Sequence, residues 1–415
     1  MICCVNGTYI TEDIDMKYVV VLGDGMADYP VDAIDGKTPL EYAKTETLDR
    51  LAPTSEIGLV HTIPEGMSPG SDTANLSVIG YDPKVYYSGR SPLEALSIGV
   101  DMEKTDISFR CNIVTLSEDE DEYEKRTIID HSSGEISTED AAELIKAVKE
   151  GLEDEEYKFY VGTSYRHLTI WKNGKVLPLT PPHDILTKVI GEYLPEDAKL
   201  REMMKKSYDI LVNHPINIER KKKGLNPANS IWFWGAGTRP ALSSFEDKNK
   251  KNGVMISAVD LLKGIAVGAG LTNIEVEGAN GGLHTNYEGK AKAAVKALLE
   301  DEYDFAYIHV EAPDEMGHQG SLERKIEAIE SLDSKVIKIV VEEFEKAGED
   351  LRLLVLPDHP TPIVLRTHSS EPVPYLLYDS TEPKESVLKY NEKDAKAGGI
   401  YIAEGHKLID HLFAK

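Results

Sequence analysis

Apolar runs and stretches with a helical period alternate along most of this chain. Short apolar runs, which are typical of buried strands, lie at 18–22, 304–310 and 351–356. Apolar residues spaced three or four positions apart predict helices, and these stretches lie at 39–51, 259–269, 286–300 and 321–346. The alternation of the two patterns predicts an α/β fold with a mainly parallel sheet.

The middle of the chain has a different pattern. The charged run at 117–126 predicts a solvated hairpin tip, and Ser137 with Asp140 three positions later predicts the start of a helix over 137–153. Two β-like segments follow. We therefore predict a catalytic domain formed by 16–105 and 220–415, an inserted domain at 106–219, and a flexible extension over the first 15 residues, which we leave open as native or as a misassigned start.

Composition excludes several classes of partner. The chain has 415 residues, with 46 Lys and Arg against 72 Asp and Glu, so its formal net charge is −26. Such a surface repels phosphate backbones and anionic lipid, so we expect neither a nucleic-acid nor a membrane partner. With three cysteines and no recognisable leader peptide, the chain is expected in the reducing cytoplasm.

Acidic side chains and histidines follow three of the predicted strands. Asp24 comes after the first strand, Asp314 and His318 after the second, and Asp358 and His359 after the third. An Asp after a strand is most often a turn former or a helix cap, so each motif alone is weak. Because the carboxyl ends of parallel strands share one edge of a sheet, we expect these side chains to converge there.

With His368 ten residues beyond the third strand, this set is typical of a site for two divalent cations. Mixed carboxylate and imidazole ligands favour Mn²⁺ or Zn²⁺ over Mg²⁺, and paired metals suit phosphoryl transfer. Ser71, in a Gly/Ser turn before a helix, is the candidate nucleophile; taken alone it is equally an ordinary helix cap. A Ser-His-Asp triad is disfavoured because Gly-x-Ser-x-Gly is absent around Ser71.

Four stretches together resemble one enzyme family. They read VVVLGDGMAD, SPGSDTANLSVIGYDP, HVEAPDEMGHQG and LPDHPTPIVLRTHSSEPVPYLLY. The chain resembles the archaeal-type, 2,3-bisphosphoglycerate-independent phosphoglycerate mutases of the metal-dependent alkaline phosphatase superfamily, from Lys17 to near the C-terminus. The resemblance implies an alkaline-phosphatase-like, mainly parallel sheet with helices on both faces and a smaller inserted α+β lid domain.

The resemblance also implies a ligand set and a reaction. Two divalent ions are implied, with Mn²⁺ expected first, Zn²⁺, Co²⁺ and Mg²⁺ left open, and no 2,3-bisphosphoglycerate required. Ser71 would carry the phosphoryl group as a phosphoserine between 3-phosphoglycerate and 2-phosphoglycerate. The resemblance assigns one ion to Asp314, His318 and His368, and the other to Asp24, Asp358, His359 and Ser71.

The lid is expected to bind the anionic substrate with cationic donors. The candidates in the lid are Asp130, His131 and Arg166, and Arg239 in the returning catalytic domain is a further candidate. Each is about as readily an ordinary surface or hairpin residue. Two other functions stay open at this point. One is a metal-dependent phosphatase or another phosphomutase of the superfamily, and the other is a non-catalytic metal-binding protein. Homo-oligomerisation is also open.

Overall fold

The computed structural model describes residues 3–5, 8–10 and 16–414 of the chain. Within the predicted N-terminal extension, two short strands pair antiparallel, with Cys3 opposite Ile10; the rest of that extension lies outside the described residues. None of the helices in the described part of the chain is long and apolar enough to cross a membrane.

The strands are numbered in chain order. They are β1 Cys3–Val5, β2 Thr8–Ile10, β3 Lys17–Gly23, β4 Ser55–Val60, β5 Ile107–Leu116, β6 Ile128–Asp130, β7 Tyr157–Tyr160, β8 Arg166–Trp171, β9 Ser230–Thr238, β10 Gly253–Ile256, β11 Thr272–Asn273, β12 Phe305–Val310, β13 Leu351–Leu356, β14 Val373–Asp379 and β15 Tyr401–Ile402.

The α-helices are numbered in the same way. They are α1 Pro39–Tyr42, α2 Glu46–Leu51, α3 Ser71–Val78, α4 Pro83–Tyr86, α5 Arg90–Ser97, α6 Thr138–Leu152, α7 Ala198–Leu211, α8 Pro215–Lys222, α9 Phe245–Asn249, α10 Asp260–Ala269, α11 Tyr287–Leu299, α12 Ala312–His318, α13 Leu322–Leu332, α14 Lys338–Ala347, α15 Glu392–Gly398 and α16 Leu408–Phe413. Short 3₁₀ segments lie at Asp32–Ile34, Ala52–Thr54, Tyr123–Lys125, Pro182–Ile185, Ile190–Tyr193 and Gly405–Lys407.

The chain forms two compact units. The first unit comprises the residues up to Tyr87 and those from Leu242 onward, and the second comprises Ser88–Ala241. The predicted insert at 106–219 lies inside the second unit. The observed unit is longer at both ends because α5 and β9 pack on each other and on β5, so the segments carrying them belong to its sheet.

An eight-stranded sheet in the order β11-β10-β12-β3-β13-β14-β4-β15 forms the centre of the first unit. Strands β11, β10, β12, β3 and β13 are parallel, whereas β14 runs antiparallel to both of its neighbours. All seven residues of β3 are buried, as the continuous apolar run predicts for a strand covered on both faces. The mainly parallel α/β fold predicted from the alternation is confirmed.

One of the predicted helices is interrupted, and another is continuous but contains a π-helical turn. The stretch 39–51 forms α1 and α2, because Asp333 accepts hydrogen bonds from the backbone N–H of Thr47 (3.0 Å) and Leu48 (2.8 Å) and so caps a second helix. The stretch 321–346 forms α13 and α14, joined without a break by a π-helical turn at Asp333–Ile337.

The second unit has an antiparallel sheet around β5, which pairs with β6, β8 and β9, while β7 extends the sheet beyond β8. The charged run at 117–126 connects the antiparallel strands β5 and β6, as predicted for a hairpin tip. Ser137 caps α6 by accepting a hydrogen bond from the Asp140 N–H at 3.2 Å. This unit has its own apolar core, which includes Phe109 and Trp232.

Candidate metal centre and active site

Three neighbouring strands place the predicted ligands at one edge of the first unit's sheet. In the parallel register, Gly23 at the end of β3 lies opposite Val310 at the end of β12, and Leu22 lies opposite Leu356 at the end of β13. The chain therefore leaves all three strands at the same level. Each strand is followed there by a segment that carries acidic residues or histidines.

Gly25 allows the loop after β3 to approach the loops after β12 and β13. Its φ of 59° lies in the left-handed region, and a Cβ atom at this position would collide with the Thr361 hydroxyl and the Asp314 carboxylate. The Gly-Asp-Gly sequence thus presses the backbone beside Asp24 against the other two loops. Glycine is required here by both conformation and space.

One group of candidate ligands consists of Asp314, His318 and His368, which the family resemblance assigns to one ion. The His318 Nε2 atom lies 3.2 Å from Asp314 Oδ2 and 3.0 Å from His368 Nε2, and His368 Nε2 lies 3.4 Å from Asp314 Oδ1. Helix α12 brings Asp314 and His318 to one face, four residues apart. The backbone carbonyl of Arg366 lies 3.0 Å from His318 Nδ1 and fixes which imidazole nitrogen points inward.

A second group lies deeper and centres on His359, which is wholly buried. Its Nε2 atom is 3.6 Å from Asp24 Oδ1 and 3.3 Å from Asp358 Oδ2. Ligand atoms of Asp24, Asp314 and His359 all lie within 4.8 Å of one another. Asp358 Oδ1 accepts hydrogen bonds from the backbone N–H of Gly25 (3.0 Å) and of His359 (2.9 Å), which fix the orientation of its carboxylate.

The side chains fit divalent cations on grounds of charge. Asp24 Oδ1 is buried and has no hydrogen-bond partner among the residues that the structure describes. Burial, and then the nearby charges of Asp358 and Asp314, raise the pKa of Asp24 well above its usual range. Placing three carboxylates close together in a buried site is unfavourable unless a positive charge lies among them. A divalent ion would supply that charge.

Ser71 is the first residue of α3 and lies beside this second group. Its Oγ is 3.2 Å from His359 Nε2. The helix N-terminus leaves backbone N–H groups and the positive end of the dipole for an anion. One turn later, Asn75 Nδ2 donates to both Ser71 O and Asp358 Oδ2, each at 2.9 Å, while Asn75 Oδ1 accepts from the Tyr307 hydroxyl at 2.6 Å.

Sequence reasoning missed the residues that hold the ligands in place. Asn75 is one of them, and Thr361 is another because its hydroxyl donates to Asp314 Oδ1 and lies 3.2 Å from His359 Nδ1. A third, His309, is wholly buried with Nε2 at 3.0 Å from Asp24 Oδ2. His309 could have been identified from the sequence, because a histidine is unusual inside a continuous apolar strand. The sequence around Asn75 and Thr361 contains no comparable signal.

The second unit brings two of the predicted substrate-binding residues near each other through Tyr165. The Tyr165 ring lies 5.8 Å from the His131 ring in an edge-to-face contact and 5.0 Å from the Arg166 guanidinium. The His131 ring lies 6.1 Å from His183. Two predicted residues thus lie on one aromatic and cationic surface.

Further cationic and aromatic residues that the sequence analysis did not single out join this surface. His183 lies 5.2 Å from Trp234, over which the Arg110 guanidinium sits at 4.3 Å. Burial, and after it the positive charges around it, lower the pKa of His183. A charged residue, Arg110, between Phe109 and Cys111 in a β-like segment was the signal overlooked. We name this group, His131, Tyr165, Arg166, His183, Trp234 and Arg110, the cationic cluster.

The other two predicted substrate-binding residues have local partners. The Asp130 carboxylate accepts hydrogen bonds from Ser132 N (2.8 Å), Gly134 N (2.6 Å) and Asn226 Nδ2 (2.8 Å), so it stabilises the turn after β6. Arg239 follows β9 and forms a 3.6 Å ion pair with the exposed Asp101. Substrate binding by these two residues stays a prediction.

Comparison with known proteins agrees with this geometry. Residues 52–217 match the family model described as 2,3-bisphosphoglycerate-independent phosphoglycerate mutase. The mutase of that name from Methanosarcina barkeri is 48% identical over 404 residues, covering 96% of this chain and 99% of the relative. A probable mutase of the same name from Geobacter sulfurreducens is 46% identical with the same coverage.

Solved structures share the fold. A protein from Pyrococcus horikoshii superimposes with a TM-score of 0.80 at 29% identity, covering 96% of this chain and 97% of that one. The cofactor-independent phosphoglycerate mutase of Thermoplasma acidophilum gives a TM-score of 0.64 at 26% identity, covering 96% and 98%. Both likenesses span the two units.

A mainly parallel sheet with His and Asp clusters at its carboxyl edge defines an α/β protein with a candidate divalent-metal site there. Within that class, identity near one half over almost the full length of both chains is decisive. The chain belongs to the 2,3-bisphosphoglycerate-independent phosphoglycerate mutase family. The resemblance found in the sequence motifs is thereby confirmed.

Proposed function

We propose that this chain interconverts 3-phosphoglycerate and 2-phosphoglycerate through a phosphoserine on Ser71, with two divalent ions and without 2,3-bisphosphoglycerate. The observation that carries the proposal is the position of Ser71. Its hydroxyl lies beside His359, between the helix N-terminus of α3 and two converging sets of metal-ligating atoms. A hydroxyl in that setting is placed to attack phosphorus.

The first ion is assigned to Asp314, His318 and His368, and the second to Asp24, Asp358, His359 and the Ser71 hydroxyl. When bound, the two ions would lower the pKa of the serine hydroxyl and neutralise charge on the transferring phosphoryl group. Mn²⁺ is the ion we expect, because three imidazoles among carboxylates suit it better than Mg²⁺.

The reaction balances without water. In the first half, Ser71 Oγ loses its proton and bonds to phosphorus, the bond from phosphorus to the C3 oxygen of 3-phosphoglycerate breaks, and that oxygen takes up a proton. In the second half, the 2-hydroxyl of glycerate loses its proton and bonds to phosphorus, while the Ser71 oxygen leaves and regains a proton. The N–H groups at the start of α3 hold the phosphoryl oxygens throughout.

We further propose that the cationic cluster of the second unit binds the anionic groups of the substrate. Arg166 and Arg110 offer planar donors that match a carboxylate or phosphate in bidentate fashion. Their aromatic neighbours hold the guanidinium groups over a ring face, which limits their motion. A role of this unit as a lid, and of Asp130 and Arg239 at the substrate, stays a prediction.

A cytoplasmic location is proposed as well, because three cysteines in 415 residues suit a reducing compartment. The alternative function, a phosphatase or another phosphomutase, is less favoured, since the similar curated proteins are named as phosphoglycerate mutases.

The test is incubation of the purified protein with 3-phosphoglycerate and Mn²⁺, in the absence of 2,3-bisphosphoglycerate, followed by phosphorus NMR. We expect a new resonance at the position of 2-phosphoglycerate. Inorganic phosphate as the only product would contradict the mutase and favour the phosphatase.

Substrate binding by the cationic cluster has a separate test. Arg166→Ala should raise KM for 3-phosphoglycerate by about tenfold or more, because it removes a charged donor whose hydrogen bonds contribute about 1.5–3 kcal/mol. Arg201→Ala, which removes an exposed arginine from α7 of the same unit, is the matched control and should leave KM unchanged. Equal KM values for the two variants would remove Arg166 from the site.

A further inference from the structure

A buried lysine joins the loops that carry the metal ligands. Lys325 lies on α13 and is fully buried. Its Nζ donates to Asp28 Oδ2 at 2.8 Å, to Thr361 O at 2.8 Å and to Ala27 O at 3.2 Å. An ammonium group has three protons, and all three are accounted for by these acceptors.

The acceptors belong to two separate loops. Ala27 and Asp28 follow Asp24 in the loop after β3, whereas Thr361 follows His359 in the loop after β13. The loops are also joined directly, since the Thr361 N–H donates to Ala27 O at 3.2 Å. Lys325 therefore holds together the two backbones that carry the deeper ligand group.

Asp28 extends the connection. Its carboxylate accepts from the N–H of Ile363 at 3.1 Å and from the N–H of Tyr29 at 2.7 Å. The Asp28 N–H in turn donates to Glu392 at 3.1 Å, at the start of α15. The Lys325–Asp28 pair thus spans elements far apart in sequence, with both side chains wholly out of solvent.

Thr361 carries the connection to the ligands themselves. Its backbone carbonyl accepts from Lys325, and its hydroxyl donates to Asp314 and lies 3.2 Å from His359 Nδ1. A shift of the Thr361 backbone would therefore move the hydroxyl away from Asp314 in the first group and from His359 in the second group.

We propose that Lys325, paired with Asp28, is a positioning residue that sets the spacing between the two groups of metal ligands. The proposal rests on the metal-dependent function proposed above. Two buried charges gain little stability over apolar residues of similar size. Their specific contribution is a set of directional hydrogen bonds. A nonpolar side chain would fill the same space but would not connect both loops through hydrogen bonds to a single nitrogen atom. Residues that hydrogen-bond directly to metal ligands typically change metal affinity 10–100-fold when removed, and Lys325 holds one such residue, Thr361, by its backbone carbonyl.

The experiment compares Lys325→Met/Asp28→Asn with the wild-type protein. The double variant avoids leaving either charge buried alone, and the amide oxygen that replaces the Asp28 carboxylate still accepts from the N–H groups of the loop. Mn²⁺ affinity is measured by calorimetry on the metal-stripped full chain without substrate, and ligand geometry by the visible absorption of the Co²⁺ form. We expect affinity to fall by about tenfold or more, with an altered Co²⁺ spectrum.

The control is the double variant Arg352→Met/Asp379→Asn. It removes another largely buried ion pair, at the amino end of β13 rather than at the ligand edge. We expect lower thermal stability with unchanged Mn²⁺ affinity, which separates positioning from general destabilisation.

A folded Lys325→Met/Asp28→Asn protein with Mn²⁺ affinity within twofold of wild type and an unchanged Co²⁺ spectrum would overturn the proposal. If that variant does not fold, Lys325→Gln/Asp28→Asn decides, because the shorter neutral amide offers two protons where the ammonium group offers three to the acceptors of the two loops; unchanged affinity there overturns the proposal equally. Failure of the proposed function is distinguishable, because a wild-type protein that binds Mn²⁺ without mutase activity leaves the metal-affinity readout intact.

Discussion

At the scale of single residues, Ser71 separates a covalent mechanism from direct attack by a metal-bound water. Gly70, not Ser71, is the N-cap residue of α3, so a merely structural Ser71 should cost less than about 1 kcal/mol of stability when it is replaced. Loss of a nucleophile instead costs several powers of ten in rate, each equivalent to about 1.4 kcal/mol of barrier. We expect Ser71→Ala to fold, to bind metal at Asp314, His318 and His368, and to lose phosphoglycerate interconversion. Activity is followed by phosphorus NMR.

Ser77→Ala is the matched control for this substitution. Ser77 lies on the same helix, is buried, and its Oγ has no hydrogen-bond partner, so the change should leave turnover intact. The covalent route also predicts retention of configuration at a chiral phosphate, because two in-line displacements cancel. Inversion, or a Ser71→Ala rate within tenfold of wild type, would contradict the phosphoserine.

Asn75 is a second residue with a specific expectation. Asn75 lies on α3, the helix that begins with the proposed nucleophile Ser71, and its side-chain amide donates a hydrogen bond to Asp358. Its side-chain oxygen accepts a hydrogen bond from the Tyr307 hydroxyl. Asn75→Leu should lower kcat/KM by about 10–100-fold, and Tyr307→Phe by less. If Tyr307 acts only through Asn75, the double variant should match Asn75→Leu alone. Additive losses in a cycle of kcat/KM measurements would show that Tyr307 acts independently.

At the scale of elements, the strands were the easiest to predict. β3, β12 and β13 are continuous apolar runs because both faces of a parallel sheet are covered. Their ends also located the candidate ligands, since acidic and histidine residues at strand ends are visible in the sequence. His309 was missed because it sits inside such a run, and Arg110 was missed because it sits in a buried antiparallel strand. Their partners, Asp24 for His309 and Trp234 for Arg110, lie far away in the sequence.

Helix interruptions were not predictable from local pattern. The break between α1 and α2 depends on the Asp333 carboxylate, which reaches Thr47 and Leu48 from almost 300 residues away in sequence. The second unit extends beyond the predicted insert for a related reason. Whether α5 and β9 belong to one domain or another is decided by packing on β5, which no spacing of apolar residues reveals.

Strand β8 gives the second unit a predictable response to acid. Burial lowers the pKa of His167 to about 3, against about 6.5 in an unfolded chain. Between these values the unfolded chain binds a proton that the folded chain excludes. The free energy of unfolding should therefore fall as pH drops below about 6.5, by up to about 1.4 kcal/mol per pH unit.

All three tryptophans, Trp171, Trp232 and Trp234, lie in this unit, so urea unfolding of the full chain followed by tryptophan fluorescence measures its stability. His167→Gln should reduce the slope of the free energy of unfolding against pH between pH 6.5 and 5. The reduction should correspond to about one fewer proton taken up on unfolding. A variant whose slope equals that of wild type would show that His167 is not the group responsible.

At the scale of the whole molecule, the ligand edge is the region that metal binding should order. The candidate ligands come from segments separated by hundreds of residues but joined at the carboxyl ends of β3, β12 and β13. A ligand that binds only the folded state stabilises it by about 2.7 kcal/mol at one hundred times its dissociation constant. Metal binding should suppress the local unfolding of those segments more than that of the rest of the chain, because each of them would supply a ligand to the ions.

Hydrogen exchange with mass spectrometry tests this directly on the full chain. Stripping the metals with a chelator should abolish mutase activity and speed exchange in peptides covering 22–28, 311–320 and 357–370, and Mn²⁺ should reverse both effects. Peptides at the amino ends of the same strands, around 301–304 and 348–351, are the internal control and should change little. Full activity in chelator would contradict a two-metal site at the carboxyl edge. Protection from exchange that is spread evenly over both ends of the sheet would contradict it as well, because ions held there by Asp24, Asp314 and His359 restrain only the segments that supply their ligands.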